Sequence, residues 1–386
     1  MRLLIVSTSY PNRAGHGSGT FVHEQARSMA ACGHEVRVIC PHAPGLAREE
    51  SIEGVRVTRF RYAPAVMERV AYGGGIPANL RAKPWLWLAV PSFVGAMATA
   101  IRHAATSADL IHTHWTAAGL AAVISGARVP LVASFHGSDL MSASQLMHEA
   151  ARAVARRARA IVVHSREMAE RAAAVAPGAG ITVLPLGVDT AAIVPLEDHE
   201  RRHEIACVGR LSREKGQDVL LDAFARLPDS GTRLRLVGTG PTERELRDQA
   251  NRLEISSRVE FTGECTHADA LDAMRRAQIA AIPSRREGFS LACLEAMAAG
   301  SAIVATRCGG PEELLGDGEC GLLVPTDDPA ALADALGRLL ADGALRARLC
   351  SAARDRAALV YDRERVADEL ERLYRRALET PPAPIG

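Results

Sequence analysis

A chain of 386 residues with a net charge of +1 is long enough for two domains, each able to bury its own core. A charge so near zero leaves no electrostatic footprint for nucleic acid, and the short basic clusters Arg156-Arg157-Arg159, Arg201-Arg202, Arg285-Arg286 and Arg375-Arg376 read mostly as solvated helix faces. The eight cysteines are scattered without a C-x-x-C pair. That disfavours a disulfide framework or a zinc site and fits reduced thiols in the cytoplasm.

The opening MRLLIVSTSY is too short an apolar run for a signal peptide and predicts a buried first strand over residues 2–8. A glycine-rich loop, Gly15-His16-Gly17-Ser18-Gly19, leads into a helix over TFVHEQARSMAAC that stops at Gly33, and HEVRVIC is the second strand. This βαβ opening puts the loop at a strand's carboxyl end, where doubly wound sheets bind ligands. The loop is not G-x-G-x-x-G and no acidic residue closes the second strand, which argues against a nicotinamide-dependent dehydrogenase. GVRVTRF is a third strand, and residues 61–82, with three consecutive glycines, are expected to be irregular and mobile. KPWLWLAVPSFVGAMATAIRHA is apolar enough to raise the question of a membrane span. Pro84 and Pro91 interrupt it, and the stretch free of them is too short to cross about 30 Å of hydrocarbon. A buried or interfacial helix is expected, with core burial favoured over peripheral membrane contact.

ADLIHTHW and RVPLVASFHGSDL are two more strands. The second runs into His136-Gly137-Ser138-Asp139, at a carboxyl end. A lone histidine there is most often structural; His112 reads as core and His114 as a turn residue. ARAIVVHS and GITVLPLGVDT complete a first domain over residues 1–188. After the polar linker LEDHERR, a second domain over 189–360 opens with the strand HEIACVG. Arg210 and Lys215 follow in the loop and first turn of a helix, which alone would be a solvated helix start. RLRLVGTGP is a strand with a tight turn at Gly238 and Gly240, and RVEFTG precedes a helix beginning at His267.

The most informative stretch is PSRREGFSLACLEAMAAGSAIVATRCGGP, residues 283–311. It reads as a turn, a helix with Leu291, Leu294 and Met297 on one face and Gly300 as its stop, then a strand. A helix start beneath a strand's carboxyl end is an anion site, through unpaired N–H groups and the helix dipole. Glu287 lies in the turn and Glu295 inside the helix. Either one alone is an ordinary helix glutamate. Together they can accept hydrogen bonds from a polyhydroxylated ligand whose phosphates lie at the helix start.

The E-G-F-S-L string, the spacing of the two glutamates and the A-x-G end resemble the signature of the retaining glycosyltransferases of family 4. G-R-L-x-x-x-K-G around Arg210 and Lys215 is similar to that family's diphosphate clamp. S-F-H-G-S-D resembles its first-domain motif, and the loop at Gly17 and Gly19 its glycine-rich loop, with Gly17-Ser18-Gly19 in place of a Gly-Gly pair. The resemblance covers nearly the whole chain and implies the α/β GT-B fold: two Rossmann-like, doubly wound domains facing across a cleft, with a final helix, here 363–379, packing back on the first. It implies transfer of a hexose from a UDP- or GDP-sugar to an acceptor hydroxyl with retained anomeric configuration. Saccharide, lipid-linked and small-molecule acceptors all fit the resemblance. By this resemblance Arg210 and Lys215 hold the diphosphate, Glu287 binds donor-sugar hydroxyls and Glu295 the ribose. Gly209, Gly238, Gly240, Gly288 and the N–H groups of Phe289, Ser290 and Leu291 meet the donor. His136 contacts the sugar, and His114 and Asp139 lie on the acceptor side. No cofactor is implied beyond the donor itself, and the absence of any Asp-x-Asp in the chain predicts independence of metal. An epimerase or hydrolase of the same fold and a non-catalytic nucleotide-sugar-binding protein are the rival readings.

Overall fold

The computed structural model describes residues 1–12, 19–73, 75–141, 144–229 and 231–379. The chain divides into two compact units. The first comprises Met1–Pro185 and resumes at Val366; the second is Leu186–Arg365.

The first unit is built on eight strands: β1 (Arg2–Ser7), β2 (Glu35–Pro41), β3 (Glu49–Ile52), β4 (Val55–Phe60), β5 (Leu110–His114), β6 (Leu131–Ser134), β7 (Ala160–Val163) and β8 (Ile181–Val183). Their order across the sheet is β3-β4-β2-β1-β5-β6-β7-β8. Every pairing is parallel except β3 with β4. That hairpin turns on Glu53 and Gly54, both at positive φ (46° and 85°), the conformation whose twist suits two-residue hairpins. The chain builds outward from β1, then crosses back to lay β5 on β1's other side. The point where winding reverses lies between β1 and β5, and ligands of open α/β sheets bind outside the carboxyl ends of the strands there.

The second unit repeats the plan with six parallel strands: β9 (Arg202–Val208), β10 (Arg233–Val237), β11 (Val259–Phe261), β12 (Ala277–Ile282), β13 (Ala302–Thr306) and β14 (Leu322–Val324). Their order is β11-β10-β9-β12-β13-β14, so the reversal lies between β9 and β12. Strands covered by helices on both faces read as continuous apolar runs rather than alternating ones. AQIAAI and AIVAT do so, and Ile279, Ala280, Ala281, Ile303 and Val304 are fully buried.

The last helix, Arg363–Glu379, sends Val366, Leu370, Leu373 and Tyr374 into the first unit's core beside Leu3, Ile5 and Val38. Each such side chain contributes about 1.5–3 kcal/mol by leaving water. Residues 61–82, expected to be irregular, contain two ordered pieces: a 3-10 turn at Ala65–Met67 and a helix at Ile76–Ala82. Asn79 explains part of this order, because its side-chain amide donates to the Val70 and Tyr72 carbonyls at 3.1 and 2.8 Å. Pro84 and Pro91 do not interrupt the apolar stretch. Each stands in the first turn of its segment, where no N–H is needed, and a 3-10 turn at Pro84–Ala89 runs straight into the helix Val90–Ala105. Arg201 is no solvated helix residue either: its guanidinium donates to the carbonyls of Leu196, Arg275, Ala277, Ala299 and Gly300.

Candidate functional site

The residues predicted for chemistry gather at the carboxyl ends of the strands of each sheet. In the second unit, the loop after β9 carries Gly209, Arg210 and Lys215, and the loop after β12 carries Ser284 and Glu287. Lys215 Nζ lies 2.5 Å from Glu287 Oε1, and Ser284 Oγ donates to the same oxygen at 2.7 Å. Both donors converge on Oε1, so Oε2 carries no hydrogen bond among the described residues. The backbone of Glu287 is fixed as well. Its N–H donates to the Cys308 carbonyl at 3.1 Å and its carbonyl accepts from Gly310 N–H at 3.0 Å.

Three glycines let these loops touch backbone to backbone. A Cβ on Gly216 (φ 66°) would stand 2.0 Å from the Pro283 carbonyl oxygen, on Gly240 2.0 Å from that of Leu211, and on Gly310 2.2 Å from that of Phe289. Gly238 is packed in the same way against Gly209, at 2.3 Å. Gly238 and Gly240 therefore shape the loop that holds Arg210, and their structural role is visible without a ligand.

The helix after Glu287 spans Leu291–Ala298, and Ser290 enters it at φ 80°, ψ 83°. Serine rarely adopts this backbone, which marks stored strain. Its hydroxyl is buried without a hydrogen-bond partner, and the N–H groups of the first turn have no intrahelical acceptor. Five residues in, Glu295 Oε1 is held by His267 Nε2 at 2.7 Å. Its other oxygen, like that of Glu287, carries no hydrogen bond among the described residues. Gly288, Phe289 and Leu291 flank the same turn. Phe289 is buried, with its ring 6.1 Å from that of Tyr361.

Sequence reasoning missed two residues here. His267 appeared only as a helix start. Arg285 was grouped with solvated helix arginines, yet it sits in the loop before Glu287. There it forks onto Asp218 (2.8 and 2.7 Å), reaches Asp327 (2.6 Å) and donates to the Arg213 carbonyl (2.5 Å). Asp218 above all, with Asp327, holds this guanidinium's pKa above its ordinary value. Arg285 thus ties the loop of Lys215 to the loop of Glu287. Its position directly after the β12 turn was the only signal in the sequence. A hollow of about 360 Å³ bordered by Ser212, Asp218, Thr242, Glu245, Gln249 and Arg252 lies in this unit too, and Lys215, Glu287 and Glu295 do not line it.

In the first unit, a row of histidines crosses the carboxyl ends of β5, β6 and β7. His112 pairs with Tyr374 Oη at 2.6 Å and Ser134 Oγ at 2.8 Å. His114 Nδ1 meets His136 Nε2 at 3.2 Å, and the His136 and His164 rings are 4.9 Å apart. Burial lowers the pKa of all four, His112 to about 3 and His164 to about 4. They are therefore neutral. Asp139, buried beside them, accepts from His136 N–H at 3.0 Å, and burial raises its carboxyl to about 7. His136 is the most exposed of the row at 8%, so His114, predicted as an acceptor-side group, is covered more deeply than expected. Its Nε2 is buried without a partner. Trp115, at the entrance to the helix Thr116–Ser125, has φ 68°. It stands after β5 as Ser290 stands after β12, each beside its sheet's reversal point. Gly19 is required by φ 84° and by the Ser9 carbonyl, 2.4 Å from where a Cβ would be. Gly17 lies outside the described residues.

Residues 15–192 match the Glycosyltransferase Family 4 domain and residues 180–356 the Glycosyl transferases group 1 domain. The chain belongs to this glycosyltransferase family. It is 30% identical to glycogen synthase of Mycobacterium tuberculosis, over 97% of this chain and 94% of that protein. It is 32% identical to phosphatidyl-myo-inositol mannosyltransferase of the same organism, over 93% and 92%. In fold, the glycosyltransferase is similar to sucrose-phosphate synthase from Thermosynechococcus elongatus, with a TM-score of 0.82 at 24% identity, covering 98% of this chain and 100% of that one. It is similar also to Anabaena HepE in complex with UDP-glucose, with a TM-score of 0.73 at 20% identity over 97% and 100%. Two Rossmann-like units with parallel sheets are the GT-B fold.

Proposed function

We propose that this glycosyltransferase moves a hexose from a nucleotide diphosphate sugar to an acceptor hydroxyl with retention at the anomeric carbon and without a metal ion. The observation that carries this reading is the pair Lys215–Glu287, 2.5 Å apart, beside a helix start with a buried, unpartnered serine hydroxyl. A cation, unpaired N–H groups and a carboxylate with one open oxygen match a diphosphate joined to a polyol. Lys215 and Arg210 stabilise the charge that develops on the leaving diphosphate, the first-turn N–H groups of Ser290 and Leu291 add to it, and neither needs to reorganise as the bond breaks. Glu287 Oε2 takes sugar hydroxyls, and Glu295 takes the ribose. His136 is kept as a contact to the sugar or the acceptor on the family resemblance alone. The leaving diphosphate oxygen takes the acceptor proton on the same face of the sugar, so no protein nucleophile is required.

UDP-glucose, the ligand of HepE, and ADP, bound in Arabidopsis starch synthase IV, support a UDP- or ADP-hexose as first donors to try, beside the GDP-hexose that the family resemblance implies. The eight free thiols support a reducing, cytoplasmic setting. A thermal-shift panel of UDP-, GDP- and ADP-sugars selects the donor, because binding raises stability by mass action. Transfer to saccharide, lipid-linked and small-molecule acceptors is then followed by NMR of the anomeric proton. A product of inverted configuration would remove the retaining mechanism. Turnover of donor without acceptor would favour an epimerase or hydrolase, and binding without any turnover a nucleotide-sugar-binding protein.

A further inference from the structure

The stretch Pro84–Ala105 is apolar on two opposite sides. Its inner side, with Leu86, Phe93, Met97 and Ile101, is built into the first unit's core against Leu4, Val6 and Ile39. Its outer side leaves Trp85, Trp87 and Leu88 exposed by 46, 57 and 82%. Only 33% of its most apolar window is buried. Two of the chain's three tryptophans thus stand in water on one 3-10 turn, in a protein that is 4% aromatic.

Charge along this stretch of sequence is one-sided. Between residues 54 and 107 the sequence holds seven Lys and Arg and a single carboxylate, Glu68, and of the seven Arg56, Arg59 and Arg61 are paired with Glu35, Glu50 and Glu68. Glu68 is buried and taken up by His42 and Arg61. Arg69, Arg81 and Lys83 are exposed and form no ion pair among the described residues. Lys83 lies two residues before Trp85.

We infer that this turn, Pro84–Leu88 with Arg81 and Lys83, is a docking surface for an anionic phospholipid bilayer, lying in the plane of the headgroups. Tryptophan favours that level of a bilayer, and an apolar side rimmed by Lys and Arg is the composition of interfacial segments. The cations gain from the negative surface potential, so attachment depends on anionic lipid and on salt. The segment does not span, because drawing out Phe93, Met97 and Ile101 would strip the core that holds β1 and β2. A second copy of the chain is a poorer occupant. A two-fold interface sets the same patch against itself and would bring Arg81 and Lys83 of both copies together.

The test is co-sedimentation of the full chain with vesicles of phosphatidylcholine alone and of phosphatidylcholine mixed with phosphatidylglycerol. Binding is expected to the mixed vesicles, with a blue shift of tryptophan emission, and to weaken as salt rises. Trp85→Ser/Trp87→Ser/Leu88→Ser is expected to weaken it about tenfold or more, and Arg81→Glu/Lys83→Glu to weaken it on mixed vesicles only. Because these side chains are exposed, circular dichroism and melting temperature should be unchanged. No partition of the native chain into mixed vesicles overturns the inference, as does equal binding by the triple variant. A native dimer that the triple variant converts to monomer, seen by light scattering, would assign the surface to a second copy instead.

Discussion

Lys215 and Glu287 stand 72 positions apart in sequence and 2.5 Å apart in space. The loops after β9 and β12 bring them together at the reversal point of the second sheet. Each satisfies the other's charge, so a diphosphate bound by Lys215 competes with Glu287 for it. Glu287→Gln should therefore tighten binding of the free nucleoside diphosphate several-fold while lowering transfer about tenfold or more. The expectation rests on a charge-assisted hydrogen bond of about 1.5–3 kcal/mol, discounted because Lys215 is 32% exposed. Lys215→Ala should weaken product and donor alike. Calorimetry with the nucleotide and initial rates at saturating acceptor check both. A loss of product affinity in Glu287→Gln would mean that Glu287 contacts the nucleotide.

Glu295 is assigned to the ribose, which donor and product share, and His267 holds it at 2.7 Å. Glu295→Ala should weaken both ligands about ten- to a hundredfold. His267→Ala should weaken both by less, since it frees the carboxylate without removing it. If Glu295→Ala leaves product affinity intact, the ribose assignment is wrong.

Arg285 is a positioning residue. Arg285→Lys keeps the charge but cannot fork onto Asp218 while reaching Asp327. The donor KM should rise about fivefold or more as the two loops loosen, with kcat changing less. Equal transfer kinetics in the variant would reduce Arg285 to a surface ion pair.

The buried histidines make a pH prediction with a definite sign. Their folded pKa values are depressed, so below about 6.5 the unfolded chain binds protons that the native row refuses, and stability falls with pH. Asp139 acts oppositely. Burial raises its folded value to about 7, well above the ordinary carboxylate range, so its contribution is full at low pH and fades as pH rises through 7. Four groups act against one, so stability is expected to fall as the pH is lowered from about 6.5. Urea midpoints across this range measure the slope, and His164→Asn should lower it by about one proton. An unchanged slope in that variant would show that His164 is charged in the fold.

Transfer should proceed fully in excess chelator, because Lys215, Arg210 and a helix start meet the diphosphate charge. Activity that vanishes with EDTA and returns with magnesium or manganese would overturn the clamp assignment.

Local chemistry determined much of this protein. The apolar runs of β1, β9 and β12, the glycine stops and the turn before Leu291 follow from short-range patterns. So does the placement of His136, Lys215 and Glu287 at strand carboxyl ends, because in a parallel sheet every strand-to-helix turn emerges on that side. What required the tertiary structure is what depends on contacts between distant turns. Arg285 and His267 looked like ordinary surface residues, since no local pattern says which loop a long side chain will reach. The seating of Tyr374 on His112, 262 positions away, follows from a helix whose own spacing does not name its partner. The tryptophans at 85 and 87 read as core from composition alone. Only the packed chain shows that one side of the turn was already full, leaving those two rings outside.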